Sequence, residues 1–468
     1  MPAPPPQAPF CFRTPLGIKT LRKILRPLLD FDPHDFLLDW TATILDGEHL
    51  LGITATGDGK SCMTYFPLLV MQYYAMQKEK PAGWAWPDNP MVLVICPTKC
   101  IEEEQEADMI RFSIQALALN QDRLHAARLN NVNLWEQASA QDMLFLGPEL
   151  LSTAGFAALV KDGDTWSRIV LACIDEAHLV LEWSRNGFRP RFLQIGQLLA
   201  RLCPKARFCA LSATVLPGLH ERRLCEALGL FYDDVAVIRR TNMRANVQFE
   251  HRLLKSSLSG YAFPELDWTV AEGQSSLIFV DSMHVGWRIA GYLCSLLPDT
   301  SSEDLRRRVR IYNSLNDPEH NESTRELLRT WPGTIAVATN ALCVGFNSSL
   351  IDNVVIINPT SLTDVVQKGG RVNRVAGGGD RVGRAVIYFT SSAYKAAATI
   401  ASGGSAPPNG LAMSPELARA VVAPCFHQAI NDEFSNPRRP SPCSCTTCGG
   451  HPVSGDPRPC ACSGCKPE

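Results

Sequence analysis

The chain has 468 residues, 46% of them apolar and 20% charged, with a formal net charge of −2. That length allows two or three separately cored domains, and the composition is that of an ordinary globular protein. The charge excludes a protein that holds nucleic acid by bulk positive charge, but not one that binds a strand in a local groove through backbone amides, hydroxyls and a few arginines.

The first residues, Met-Pro-Ala-Pro-Pro-Pro, lack the basic segment and apolar core of a secretory signal. No run of 18 apolar residues is present to span a membrane, so the protein is expected to be neither secreted nor membrane-bound. Ten of the 17 cysteines are scattered through apolar segments, as reduced buried thiols are, and the other seven crowd into residues 425–468.

Short apolar runs rich in β-branched residues alternate with longer helical patterns, which predicts parallel α/β units. Strands are expected at 49–55, 91–96, 143–147, 169–174, 207–211 and 235–238. The polar, unpatterned Thr241-Asn242-Met243-Arg244-Ala245-Asn246 reads as an interdomain linker. A second series follows at 276–280, 309–312, 334–338, 353–357 and 384–389. The predicted organisation is a first α/β domain over 1–240, a second over 241–395, and a linker plus cysteine-rich segment over 396–468. The first ten residues and the end of the tail are expected to be disordered.

The first predicted strand runs into Thr54-Ala55-Thr56-Gly57-Asp58-Gly59-Lys60-Ser61. A Gly-rich turn between a strand and a helix can point backbone N–H groups at phosphate oxygens. Lys60 then supplies positive charge to the β- and γ-phosphates, and the Ser61 hydroxyl is a Mg²⁺ ligand. About 115 residues later, another apolar run ends in Asp175-Glu176-Ala177-His178. Asp175 can hold the same Mg²⁺, and Glu176 can orient or deprotonate the attacking water. The pair of motifs predicts an ATP-hydrolysing site in a cleft between two α/β domains. Gln367-Lys368-Gly369-Gly370-Arg371-Val372-Asn373-Arg374 offers two arginines three apart, on one helical face, to stabilise phosphate charge from the second domain.

With these motifs in order, residues 30–450 resemble superfamily 2 helicases, and among them the RecQ family. Thr56–Ser61 resembles motif I, Cys96-Pro97-Thr98 through Gln105 motif Ia, and Asp175–His178 motif II. Ser212-Ala213-Thr214 resembles motif III, Ala338-Thr339-Asn340 through Asn347 motif V, and Gln367–Arg374 motif VI. Glu182-Trp183-Ser184-Arg185-Asn186-Gly187-Phe188-Arg189-Pro190 is similar to the aromatic-rich loop that couples strand binding to hydrolysis in that family. Trp183 or Phe188 offers a face on which a base can stack, and Arg189 offers charge.

The resemblance implies two tandem RecA-like domains, parallel sheets flanked by helices, with a small cysteine-rich appendix. It implies a 3′–5′ DNA helicase that uses ATP and Mg²⁺ and acts on single strands and duplex junctions. Lys60, Asp175, Glu176, Gln367, Arg371 and Arg374 are then the catalytic set, with Thr54 to Ser61 around the nucleotide. His178, Trp183, Phe188, Arg189, Ser212, Thr214 and Thr339 would contact or couple to DNA, and the setting would be nuclear or cytoplasmic.

Cys425, Cys443, Cys445 and Cys448 are similar to the family's four-cysteine zinc subdomain. Cys460, Cys462 and Cys465 nearly repeat the same spacing and, with His451, compete for that metal or bind a second ion. Leu37 stands where the family places an adenine-reading glutamine, and Cys343 where it favours glycine. Those departures keep one rival open, a scaffold that binds without unwinding; a second, an RNA-directed ATPase, stays open because the motor motifs alone barely distinguish RNA from DNA.

Overall fold

The structure, a computed structural model, describes residues 8–185, 190–203, 205–297, 307–343, 345–373, 381–405, 412–438, 442–448 and 460–465. The chain divides into two compact units. Unit 1 comprises residues 1–54, 59–239 and 441–452; unit 2 comprises 55–58, 240–440 and 453–468.

Unit 1 is built on a seven-stranded sheet. Its strands are β1 (His49–Ile53), β2 (Met91–Ile95), β3 (Ala116–Leu119), β4 (Met143–Leu146), β5 (Ile169–Ile174), β6 (Arg207–Ser212) and β7 (Val235–Arg239). They lie in the order β3-β4-β2-β5-β6-β1-β7, every pair parallel. Every residue of β2, β4 and β5 is buried, as continuous apolar strands are when helices cover both faces of a parallel sheet. Gly52 is the exception in this apolar series: it leaves room for the Trp40 ring, carried on the helix Asp35–Leu45.

Unit 2 repeats the architecture with β8 (Val247–Leu254), β9 (Ser276–Phe279), β10 (Val309–Tyr312), β11 (Ile335–Ala338), β12 (Asn353–Ile357) and β13 (Gly383–Thr390). The order is β10-β11-β9-β12-β13-β8, again all parallel. Its core joins Ile278, Val337, Val355 and Val386 from four strands to Ile289 and Leu293 of the helix Met283–Ser295. Among the described residues, no helix is long and apolar enough to cross a membrane.

Two strands escape the sequence reading. Ala-Leu-Ala-Leu at β3 has helical propensity, yet it pairs beside β4, so tertiary pairing overrides local preference. β8 carries charged and polar residues, yet all eight of its residues pair with β13. The expected linker 241–246 is also not a solvated tether. Thr241, Asn242, Arg244 and Asn246 are buried, and Arg244 donates to the Val372 carbonyl at 2.5 Å and to the Asn373 carbonyl.

The chain ends are more ordered than expected where they are described. Phe10 N donates to the Ala82 carbonyl at 2.7 Å, and Cys460–Cys465 pack beside Cys425. Beyond β13 come the helices Ser391–Ala401, Pro415–Val422 and Phe426–Glu433. The appendix is therefore helical before it becomes cysteine-rich.

Candidate nucleotide and strand-binding site

The carboxyl ends of three adjacent strands of the unit 1 sheet, β5, β6 and β1, carry Asp175, Ser212 and Thr54, the first residue of the Gly-rich segment, respectively. Register makes them neighbours: Ile53 lies level with Ser212, and Ile174 with Ala210. Strand order thus unites motifs separated by long stretches of sequence.

The loop after β1 turns through two left-handed glycines, Gly57 at φ +93° and Gly59 at φ +85°. Nothing lies within 4 Å of a Cβ built on Gly57, so there the backbone angle, not crowding, calls for glycine. Lys60 and Ser61 open a single 3₁₀ turn, Lys60–Thr64, before the helix Phe66–Ala75. Thr54, Ala55, Thr56, Asp58 and Lys60 are buried, whereas Ser61 is exposed. Lys60 Nζ donates to the Thr54 carbonyl at 3.3 Å, which folds its ammonium back over the loop.

Asp175 accepts a hydrogen bond at each carboxylate oxygen: from Gln105 Nε2 at 3.0 Å and from the Glu176 backbone at 2.9 Å. Burial, and then the adjacent Glu176 charge, push its carboxyl up to about 6, against the opposing pull of the Lys60 ammonium. Lys60 and Asp175 therefore act on each other electrically within one site. Glu176 holds φ +47°, a left-handed angle that costs a non-glycine residue about 1–3 kcal/mol and recurs at functional turns.

His178 Nδ1 lies 3.0 Å from Ser212 Oγ and 3.5 Å from Glu176 Oε2. Ser212 Oγ also accepts from Thr214 N at 3.1 Å, and its carbonyl accepts from Thr54 N at 3.1 Å. A continuous polar path thus runs from the Gly-rich loop through Ser212 and His178 to Glu176.

Trp183 is half-buried and meets Phe192 edge-on, with ring centroids 5.2 Å apart. It lines a cavity of about 410 Å³ with Pro97, Thr98, Lys99, Asn120 and Glu149. The expected aromatic loop and motif Ia therefore share one concavity. Phe188 and Arg189 lie outside the described residues.

In unit 2, Thr339 follows β11, and its N donates to the Tyr312 carbonyl at 3.1 Å. Gln367 is buried on the helix Leu362–Gly369, and its Nε2 has no partner among the described residues. Arg371 is also buried and donates from Nη1 to the Phe346 carbonyl at 3.0 Å. Arg374 lies outside the described residues. Sequence reasoning missed Lys368, which is 1% exposed and donates to Asp364 Oδ2 at 2.7 Å, with Asp281 Oδ1 at 3.8 Å. Burial opposes its charge, but Asp364, Cys343 and Asp281 outweigh that, and the ammonium pKa is raised. A lysine at i+4 from an aspartate was the available signal.

The cysteine assignment needs correction. Cys425 does not join Cys443, Cys445 and Cys448. Those three gather with His34, whereas Cys425 gathers with Cys460, Cys462 and Cys465; within each group the candidate ligand atoms all lie within 4.8 Å of one another. His451 lies outside the described residues. Sequence gave no sign of His34, which is some 400 positions from its partners.

Comparison with known proteins agrees with this geometry. The model of the DEAD/DEAH box helicase family matches residues 39–221. Over this stretch the chain is similar to DEAD/DEAH box helicases. The chain is 24% identical over 362 residues to the ATP-dependent DNA helicase RecQ of Haemophilus influenzae, covering 75% of this chain and 50% of that protein. It is 23% identical over 331 residues to the RecQ of Bacillus subtilis, covering 69% and 48%. The chain thus spans about half the length of the curated relatives it matches. In fold it is similar to the DUF1998 helicase MrfA, solved bound to DNA and AMPPNP, with a TM-score of 0.59 at 15% identity over 82% of this chain and 51% of that one.

Proposed function

We propose that the protein is an ATP-dependent DNA helicase or translocase of RecQ type, moving 3′ to 5′ on one strand and acting on single strands and duplex junctions. The observation that carries the reading is that Lys60, after β1, and Asp175, after β5, stand at one edge of the sheet on either side of β6, with the Lys60 charge acting on the Asp175 carboxyl, in a stretch that the DEAD/DEAH box helicase model matches.

In this reading Thr54 to Ser61 wrap the nucleotide phosphates, and Lys60 leaves the Thr54 carbonyl to neutralise them. Asp175 and Ser61 would hold Mg²⁺, which would neutralise charge on the phosphate oxygens. The donor set fits a hard cation, since Asp175 is buried, positioned by Gln105, and flanked by a hydroxyl-bearing loop. Glu176 positions the attacking water and takes its proton, with His178 and Ser212 fixing its surroundings. Gln367, Arg371 and Arg374 serve the phosphate charge from unit 2. Trp183, Phe188 and Arg189 stack on and hold a DNA strand, and Thr214 and Thr339 couple strand to nucleotide.

Steady-state ATP hydrolysis with and without single-stranded DNA tests this, for wild type and Lys60→Ala. DNA should stimulate wild type many-fold, and Lys60→Ala should lower turnover by about 10²-fold or more, as removing one preorganised charge does. Wild type that hydrolyses no faster than Lys60→Ala would leave a retired motor that serves as a binding scaffold. Stimulation by RNA in place of matched DNA would move the substrate to the RNA-directed class.

A further inference from the structure

The cysteines near the end of the chain do not form one four-sulfur site. Cys443, Cys445 and Cys448 converge on a histidine from the opposite end of the sequence, all within unit 1. His34 Nδ1 lies 3.1 Å from Cys448 Sγ, 3.2 Å from Cys445 Sγ and 3.9 Å from Cys443 Sγ. The sulfurs of Cys443 and Cys445 are 3.3 Å apart, as are those of Cys445 and Cys448.

A disulfide needs about 2.05 Å between sulfurs. Tetrahedral zinc, with Zn–S of about 2.3 Å and Zn–N of about 2.0–2.1 Å, sets ligand-to-ligand edges of about 3.6–3.8 Å. The separations here bracket the zinc value and exclude the disulfide. We propose that His34, Cys443, Cys445 and Cys448 form a structural zinc site of unit 1, distinct from the Cys425 group, that clamps residues 443–448 onto the start of the helix Asp35–Leu45.

The surroundings are built for the clamp. The Asp35 carboxylate accepts from Ser444 N at 2.7 Å and Ser444 Oγ at 2.9 Å, and Asp32 Oδ2 accepts from Thr446 N at 2.8 Å. Arg22 bridges the two carboxylates. Asp35 N points at Cys443 Sγ and Cys448 N at Cys445 Sγ, each at 3.4 Å, as amides that steady metal-bound thiolates do. The Cys443 and Cys445 sulfurs thus receive backbone amides, and the segment that carries all three cysteines is held by the Asp32 and Asp35 carboxylates.

The clamp has a mechanical consequence. His34 is the N-cap residue of the helix, and its side chain makes no capping bond there, which leaves the ring for the cysteines. The same helix carries Trp40 beneath Gly52, and Leu37, whose Cδ1 lies 3.7 Å from a Cβ built on Gly59. Zinc at one end therefore anchors the helix against which β1 and the Gly-rich loop rest.

Zinc content of the purified full chain tests the site without reference to ATP turnover. Cys445→Ser and His34→Ala should each lose one zinc equivalent relative to wild type, and Cys425→Ser should leave that equivalent in place. His34→Cys should keep it, and should shift the visible bands of the cobalt-substituted protein toward those of a four-sulfur site. This variant guards against simple unfolding. Two results overturn the proposal: Cys425→Ser and Cys445→Ser removing the same single equivalent, or a cobalt spectrum unchanged by His34→Cys.

Discussion

Gly52→Ala is a sharp test of how the N-terminal helix supports the nucleotide loop. A Cβ at this position would sit 2.5, 2.8 and 2.9 Å from three ring carbons of Trp40. Carbon atoms pack at about 3.5–4.0 Å, so the ring or the strand must yield by about 1.0–1.5 Å. Trp40 is fully buried and Gly52 sits in β1 between β6 and β7, so neither side has slack. Overpacking of this kind costs about 1–3 kcal/mol. For a unit of this size each kcal/mol lowers Tm by about 2–4 °C, so Tm should fall by about 2–12 °C in thermal unfolding. Because β1 leads directly into Thr54–Ser61, nucleotide affinity should weaken as well. Pairing the change with Trp40→Leu, which removes the opposing ring, should make the double variant more stable than additivity predicts. A Gly52→Ala protein with an unaltered Tm, or strictly additive changes in the double variant, would refute the packing argument.

Further perturbations address the strand, the base and the pH response. Trp183→Ala should weaken single-strand affinity by about 1–3 kcal/mol, the worth of one stacked base, while DNA-independent hydrolysis changes little; equal DNA affinity in a fluorescence titration would place the ring in packing alone. Leu37 is fully buried against the Gly-rich loop and has no hydrogen-bonding group, so wild type should hydrolyse several nucleoside triphosphates at comparable rates. A strong ATP preference would contradict that. His49 Nδ1 accepts a hydrogen bond from Phe208 N at 3.0 Å, which requires the neutral ring, and burial together with Arg207 lowers its pKa below 6.5. Its contribution to stability is fully present above pH 6.5 and is lost as pH falls toward the depressed native value. Urea unfolding should therefore show wild type losing more stability between pH 7.5 and 5.5 than His49→Gln does; parallel losses would refute the assignment.

Much of the fold was legible because its signals are local. Parallel strands covered on both faces are continuous apolar runs, so eleven of the thirteen strands among the described residues stood out, while β3 and β8 owe their state to neighbours that the sequence window does not see. The Gly-rich turn and the Asp175–His178 motif were equally visible, since left-handed φ at Gly57 and Gly59 and a carboxylate at a strand end are requirements of the residues themselves. Tertiary structure alone decided the rest. It set β6 between β5 and β1, so that Ser212 joins the Gly-rich loop to His178, and it buried Lys368 between two aspartates. It also sorted seven cysteines into two groups, one completed by His34. Spacing reports on neighbours along the chain, whereas a metal's four ligands are chosen by which surfaces the fold brings together; a partner some 400 residues away leaves no periodicity to read.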